Sequence, residues 1–241
     1  MIVCIPSKKR PRTKTYKLFE EAGYEVFHFI EPKEINDYQV PNKINIEKND
    51  QGITYVRNFM LDWLKNRKVD WAWFSDDDVD NFGIYNGKTV KTGASILQKV
   101  EQKAKKLPFE IVGINYVQHA WHEKKQYNVN RKFAEVCVLM HVEKIHWRYN
   151  ENTKEDRDFT MQCIKNGHGV LRFNHIWFSC PNVGSNQGGL HDWYAAKKDE
   201  AAAKKMVLVW DPFVKLKQKG DRLDMKADLV GLAKHYGKEI V

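Results

Sequence analysis

The chain opens with an unbroken apolar run, Met1 to Ile5, that stops at Pro6-Ser7. That is the pattern of a strand buried on both faces. Thr13 or Thr15 can cap a helix carrying Tyr16, Leu18, Phe19 and Ala22, with Gly23 as its stop signal. Tyr24 to Ile30 then reads as a second strand, Glu25 and His28 interrupting an apolar series. A strand, a helix and a strand in succession imply a parallel sheet.

Glu31 to Asp50 is polar and reads as loop. From Ile53 to Leu64, Ile53, Val56, Phe59, Met60, Trp63 and Leu64 share one helical face. Val69 to Phe74 predicts a third strand that runs directly into Ser75-Asp76-Asp77-Asp78-Val79-Asp80. Ser95 to Lys106 predicts a helix, Glu110 to Tyr116 a strand, and Phe133 to His141 a buried strand. Asp156 to Asn166 is a helix stopped by Gly167, Val170 to Phe173 a short strand, and Asn182 to Gly189 a Gly/Asn/Ser loop. Asp199 to Lys205 and Lys226 to Tyr236 have helix-forming composition. No repeat, low-complexity block or linker interrupts the 241 residues. One α/β domain follows, with a mostly parallel central sheet flanked by helices.

In such a sheet, ligands gather at the carboxyl ends of the strands. Trp71-Ala72-Trp73-Phe74-Ser75 delivers Asp76, Asp77 and Asp78 to that edge. Adjacent aspartates repel one another, so a neutralising cation is the physical expectation. Carboxylate oxygens suit Mg²⁺ or Mn²⁺. A run of Asp is more often a solvated turn, but the buried strand before it and Val79 after it favour a built site. An EF-hand loop is excluded, because its glycine position would be Asn81 and its bidentate glutamate position Gly87. No GxxxxGK phosphate loop occurs, which excludes nucleoside triphosphatases of that class.

The net charge of +9 and pI near 9.2 favour a polyanionic partner such as nucleic acid or a phosphorylated substrate. The basic residues concentrate at Lys8, Lys9, Arg10, Arg12, Lys14 and Lys17, and again from Lys197 to Lys219. Trp121, between His119 and His122 in a polar loop, could stack on a base or sugar. The four cysteines form no C-x-x-C pair, so a zinc ribbon is not expected, and Cys4 and Cys137 read as reduced core residues. No secretion-signal pattern and no apolar run of membrane-spanning length is present, so the expectation is a soluble cytoplasmic protein without a membrane partner.

Taken in order, the motifs resemble GT-A-fold glycosyltransferases over roughly residues 1–190. Val3-Cys4-Ile5-Pro6-Ser7 with its basic loop is similar to their nucleotide-binding start, and Gly52 with Tyr55-Val56-Arg57-Asn58 to the helix preceding their acidic strand. Phe74-Ser75-Asp76-Asp77-Asp78 resembles the DxD motif, and Glu155-Asp156-Arg157-Asp158-Phe159 with Gly167 resembles the helix carrying the base of inverting members. Trp73 to Val79 and the basic C-terminal third are most similar to the phage-associated TET/JBP-associated glycosyltransferases, which act on hydroxymethylated pyrimidines in DNA.

The resemblance implies a Rossmann-like GT-A fold, a nucleotide-sugar donor (a UDP-sugar for preference), Mn²⁺ or Mg²⁺, and hydroxymethylcytosine-type DNA as acceptor. It implies a phage-encoded enzyme working in host cytoplasm. Pro6, Ser7, Arg10, Arg57, Asp76 and Asp77 would bind the donor, Asp78 and His191 the metal, with His175 a rival to His191. Asp156 would be the general base, and Asp158 could exchange roles with it. Residues 1–115 would form the donor half and 116–241 the acceptor half. From the residues alone, Asp156 is equally a helix cap and Arg57 an exposed partner of Asp62. A glycan, lipid or protein acceptor remains the alternative. A nucleotidyltransferase fits less well, since Ile5 to Thr15 lacks glycine, and a non-catalytic DNA-binding module leaves the acidic strand end without a purpose.

Overall fold

The computed structural model describes residues 1–182, 188–189, 196–220 and 222–237. In chain order, β1 (Ile2–Ser7), α1 (Thr15–Glu20), β2 (Glu25–Ile30) and β3 (Lys43–Asn45) lead into α2 (Gly52–Asn66) and β4 (Trp71–Ser75). An antiparallel pair follows, β5 (Asn81–Tyr85) and β6 (Thr89–Lys91), then α3 (Leu97–Ala104), β7 (Ile111–Tyr116), α4 (Val117–Ala120) and β8 (Tyr127–Val129). The chain continues through β9 (Cys137–His141), α5 (Glu155–Lys165) and β10 (Val170–Ser179). It ends in α6 (Lys198–Val209), a two-stranded ribbon of β11 (Val214–Lys219) and β12 (Arg222–Ala227), and α7 (Leu229–His235).

Strands β1 to β10 form one sheet in the order β3-β2-β1-β4-β9-β7-β10-β5-β6, with β8 also paired to β10. Only β5, β8 and β9 run against the remaining strands of this sheet. The parallel, α/β character read from the opening residues therefore holds. Period-2 alternation distributes each strand between two cores. Cys4, Ala72 and Phe74 face a layer built from α2, α5, α6 and α7, whereas Val3, Ile5 and Trp73 face one built around α1 and α3. Trp73 is fully buried, and its indole N–H is satisfied by Glu101 at 2.8 Å. Because β9 lies between β4 and β7, the two halves of the sequence share one sheet.

Strands β5, β6 and β8 and helix α4 lie where no element was expected, β9 begins at Cys137 and not at Phe133, and three further stretches differ from the pattern-based expectation. Residues 31–50 hold β3 as well as loop, since a three-residue edge strand with only Ile44 part-buried leaves almost no periodic signal. Strand β10 runs on past Phe173 to Ser179, because Asn174 and His175 sit in a bulge where the pairing with β7 shifts register. The composition of residues 214–227 conceals the ribbon: its solvent face is lysine-rich, so alternation is masked, and helix α7 begins only at Leu229.

Candidate active site

Strand order reverses at β1. From β1 the chain moves outward through β2 and β3, then returns to place β4 on the other side of β1. The crevice outside the carboxyl ends of strands at such a switch point is where open α/β sheets bind ligands. Here β1 ends at Ser7 and β4 at Ser75, and a cleft of about 820 Å³ opens beside them. Pro6, Ser7, Arg10, Arg57, Asp76, Asp77, Asp78 and Asp156 all line it.

The loop after β1 clasps the acidic turn after β4. Ser7 Oγ and the Arg10 guanidinium both donate to the Asp77 carboxylate, and Thr13 Oγ1 donates to the Asp77 carbonyl. Thr15 Oγ1 donates to the Val79 carbonyl at 3.0 Å, so it ties down the turn and does not cap α1. Arg10 also reaches Asp78 at 3.1 Å. Tyr38 braces the loop, accepting from the Arg10 backbone N–H at 3.0 Å. Gly188 closes the loop from above with φ +80°, and a Cβ there would lie 2.9 Å from the Lys8 carbonyl.

Arg57 is the second organiser. It is 6% exposed, so its charge needs partners. It donates to Asp76 at 3.0 Å and Glu155 at 3.3 Å, and contacts the Asp156 carboxylate. The alternative partner Asp62 belongs instead to Arg148, at 2.6 Å. The carboxyl end of β4 is thereby linked to the amino end of α5. The Asp76 side chain is 33% exposed, and that opening faces the cleft. Burial pushes its pKa up to about 7 against the pull of Arg57, and the neighbouring carboxylates add to the rise. Asp77 is pushed up to about 6, again chiefly by burial, with Arg10 and Ser7 opposing. Across from them Val136 sits at φ +65°, a strained value for a β-branched residue. Cys137 N–H closes a tight turn on the Glu135 carbonyl at 2.7 Å, and the Val136 carbonyl accepts from Asp76 N–H at 3.0 Å. This turn delays β9 to Cys137 and presents Glu135 to the cleft.

Several wall residues carried no signal singled out in the sequence. Glu31 ends β2 and is 3% exposed; it accepts from Lys8 at 2.7 Å and from Asp50 N–H at 3.0 Å. Its place at a strand's carboxyl end could have flagged it. Arg157, beside Asp156, donates to Glu135 at 2.8 Å and to Asp224 of β12 at 3.0 Å. Lys154 lies 3.8 Å from Asp224 and Asp199. Lys219 and Arg222 bring the ribbon to the cleft wall.

Other candidates fall elsewhere. Asp158 is 0% exposed and accepts from Trp210 Nε1 at 2.7 Å, Gln162 at 2.7 Å and Asn150 at 2.9 Å. It anchors α5 to α6 and does not line the cleft. His175 bonds the Glu123 carbonyl at 2.7 Å on β10, also off the cleft wall. His191 lies outside the described residues. Trp121 is 56% exposed and stacks on His122 with centroids 3.4 Å apart. A metal-compatible group that the sequence reading did not contain is Asp70, His141 and Glu143, with ligand atoms within 4.8 Å of one another. It stands at the amino end of β4, the opposite edge of the sheet from Asp76. No helix among the described residues is long and apolar enough to cross a membrane.

No curated protein matches the chain. Among solved structures, it is similar to A197 from STIV at 17% identity, over 73% of this chain and 83% of that one, with a TM-score of 0.42. It is also similar to a CMP:2-keto-3-deoxy-manno-octonic acid synthetase complexed with CTP, at 10% identity over 81% and 95% of the two chains, with a TM-score of 0.48. The model of TET-Associated Glycosyltransferases matches residues 1–189, a span that holds the acidic turn, Arg57 and the start of α5. The chain belongs to the TET-Associated Glycosyltransferase family, and its chemistry is glycosyl transfer.

Proposed function

We propose that this protein moves a sugar from a nucleotide-sugar, held with Mn²⁺ or Mg²⁺, to the hydroxyl of a 5-hydroxymethylated pyrimidine in DNA. One observation carries the reading. The acidic turn after β4 and the carboxylate of Asp156 meet across Arg57 in a single cleft.

The residues fit a hard divalent cation. Asp76, Asp77, Asp78, Glu155 and Asp156 gather in the cleft around Arg10 and Arg57. Burial, and after it the neighbouring carboxylates, raises the pKa values of Asp76 and Asp77, a cost that a bound cation would relieve. Asp78 and Asp76, whose side chains are 26% and 33% exposed, would hold the ion, with His191 as the expected further ligand. When bound, the metal would neutralise charge growing on the departing diphosphate, an effect worth several kcal/mol. Lys8, Lys9 and Arg10 supply fixed positive charge on the same wall. Pro6 and Ser7 border the donor, and the Ser7 and Arg10 bonds hold Asp77 still.

Asp156 is the acceptor-side base. An acceptor hydroxyl is a weak nucleophile until its proton is taken, and a positioned carboxylate contributes about 10²–10⁴-fold. Asp156 lies in the first turn of the 11-residue α5, where peptide dipoles favour its anion. One base acting in a direct displacement accords with inversion at the sugar. Residues 1–115 then hold the donor, UDP-linked on this reading, and the remainder serves the acceptor. The net charge of +9 and the exposed Trp121 support a nucleic-acid acceptor. A duplex base must leave the stack to reach such a cleft, and an aromatic face offsets part of that loss.

The test is incubation with a panel of nucleotide-sugars and Mn²⁺, with hydroxymethylated or unmodified DNA, followed by mass analysis of the nucleosides. A hexose or pentose increment on the hydroxymethylated nucleoside alone is the expected result. Sugar release or transfer only to a glycan, lipid or protein would overturn the DNA acceptor.

A further inference from the structure

In the β11–β12 ribbon, directly opposed residues point to the same side. One side carries Val214 opposite Ala227, Leu216 opposite Met225, and Gln218 opposite Leu223. Val214 and Met225 on this side are buried in the core with α6 and α7. The other side carries Lys215 opposite Lys226, Lys217 opposite Asp224, and Lys219 opposite Arg222. It is cationic except for Asp224, and Asp224 is already held by Arg157 at 3.0 Å.

This arrangement has no internal reason. Like charges directly opposite each other destabilise an antiparallel pair, and the ribbon has two such pairs on one face. Arg222 leans toward Asp199 at 3.5 Å, but Lys215, Lys217, Lys219 and Lys226 are in no ion pair among the described residues. All four are exposed. Lys219 and Arg222 also line the cleft, so the cationic face continues into the site. The ribbon lies after residue 189, beyond the span shared with the family.

We infer that the Lys215, Lys217, Lys219, Arg222 and Lys226 face of the ribbon docks the sugar-phosphate backbone of the DNA whose base enters the cleft. The inference rests on the DNA-acceptor reading. Alternate residues of a strand stand about 7 Å apart, about two base-pair rises along one DNA strand. The regular Lys215, Lys217, Lys219 series can therefore follow every second phosphate of one strand. A two-stranded ribbon also has the width that a DNA groove accepts. Insertion into a membrane would call for apolar residues on the same face, and charge-only binding to anionic lipid is separated from DNA binding by the vesicle arm of the test. The exposed Leu216 is on the opposite side.

The test uses the whole protein and a fluorescent duplex carrying hydroxymethylcytosine, with affinity measured across a salt series. Lys215, Lys217 and Lys226 do not line the cleft, so Lys215→Gln, Lys217→Gln and Lys226→Gln are combined. Each lost phosphate contact lowers the salt slope by about 0.9, so the triple variant should lose up to about 2.7 of slope and at least tenfold in affinity at low salt. The corresponding triple Arg variant should keep both. Lys217→Gln alone, expected to lose about 0.9, serves if the triple variant does not fold. Wild-type slope in the folded Gln variants would overturn the inference, as would wild-type binding to phosphatidylserine vesicles but not to DNA. If the wild type glycosylates hydroxymethylated DNA while the Gln variants keep its slope, the ribbon inference fails and the acceptor reading stands. If the slopes fall as expected but no DNA is ever glycosylated, the acceptor reading fails, and with it the claim that the docked DNA delivers its base to the cleft; only the contact of the ribbon with DNA then stands.

Discussion

Arg57 donates to the Asp76 carboxylate at 3.0 Å from a position that is 6% exposed. Through this buried guanidinium, the donor-side acids are coupled to the start of α5, because Arg57 also contacts Asp156. A charge so enclosed is held by its partners, and those partners are held by it. The acidic turn after β4 and the start of α5 are thus tied together through one side chain, and on the proposed reading these are the donor and acceptor sides of the reaction.

Asp156→Asn keeps the shape of that contact and removes the base proposed for the acceptor hydroxyl. Arg57 retains Asp76 and Glu155, so the tie should persist. The expected outcome is a nucleotide-sugar Kd within a few-fold of wild type and kcat lower by about 10²–10⁴-fold. Single-turnover kinetics with binding by calorimetry measures both. Loss of donor binding with retained kcat would assign Asp156 to the donor.

Metal affinity should depend on pH through the acidic turn. Burial pushes the pKa of Asp76 up to about 7 and that of Asp77 to about 6. On the proposed reading Asp76 holds the divalent ion in its ionised form, so protons compete with the metal. Raised carboxyl pKa values also mean that the metal-free folded state holds protons the unfolded chain releases, so this contribution to stability falls as pH rises from about 4 to about 7. Mn²⁺ should therefore raise the thermal midpoint more at pH 8 than at pH 6. An equal or larger rise at pH 6 would exclude Asp76 as a ligand.

Gly188→Ala should act on the loop beneath it. The residue has φ +80°, and a Cβ would meet the Lys8 carbonyl at 2.9 Å and both the Lys9 carbonyl and Arg10 Cγ at 3.0 Å. The left-handed backbone alone costs a non-glycine residue about 1–3 kcal/mol. Displacing Arg10 disturbs its bond to Asp77. Nucleotide-sugar affinity should fall, with a smaller change in kcat, as measured by calorimetry and initial rates.

His28 should set an acid limit on stability. It is fully buried, its Nδ1 lies 3.2 Å from the Pro41 carbonyl, and its Nε2 has no hydrogen-bond partner among the described residues. Burial lowers its pKa from 6.5 to about 4. The folded state thus resists a proton that the unfolded chain accepts, so the stability present above pH 6.5 is lost as pH falls toward 4. The ceiling of this term is about 3 kcal/mol. Urea denaturation of His28→Leu should show a shallower decline from pH 6.5 to 4 than wild type.

Much of the site was legible because one strand carries its own signal. Trp71 to Ser75 alternates between two cores and delivers Asp76 to Asp78 without a break, and the Arg57 helix has a clean apolar face. The start of α5 was equally visible, but the division of labour within it was not. Asp156 and Asp158 are two residues apart, and only packing shows that Trp210, far along the chain, claims Asp158. Glu135 and the ribbon escaped for a related reason. Glu135 reaches the cleft through a strained turn at Val136 that no propensity predicts. The ribbon's lysines mask its alternation, and the neighbours that fix its place come from α5 and α6.

The central claim is that Asp76 to Asp78 and a divalent cation together hold a nucleotide-sugar at the switch point between β1 and β4. Calorimetric titration of the nucleotide-sugar into wild type and Asp78→Asn, each with and without Mn²⁺, tests it most directly. Wild type should bind tightly only with Mn²⁺, and Asp78→Asn at least tenfold more weakly, with unchanged thermal midpoints in the absence of metal. Equal affinity with and without Mn²⁺, or an Asp78→Asn variant that binds as wild type does, would contradict it.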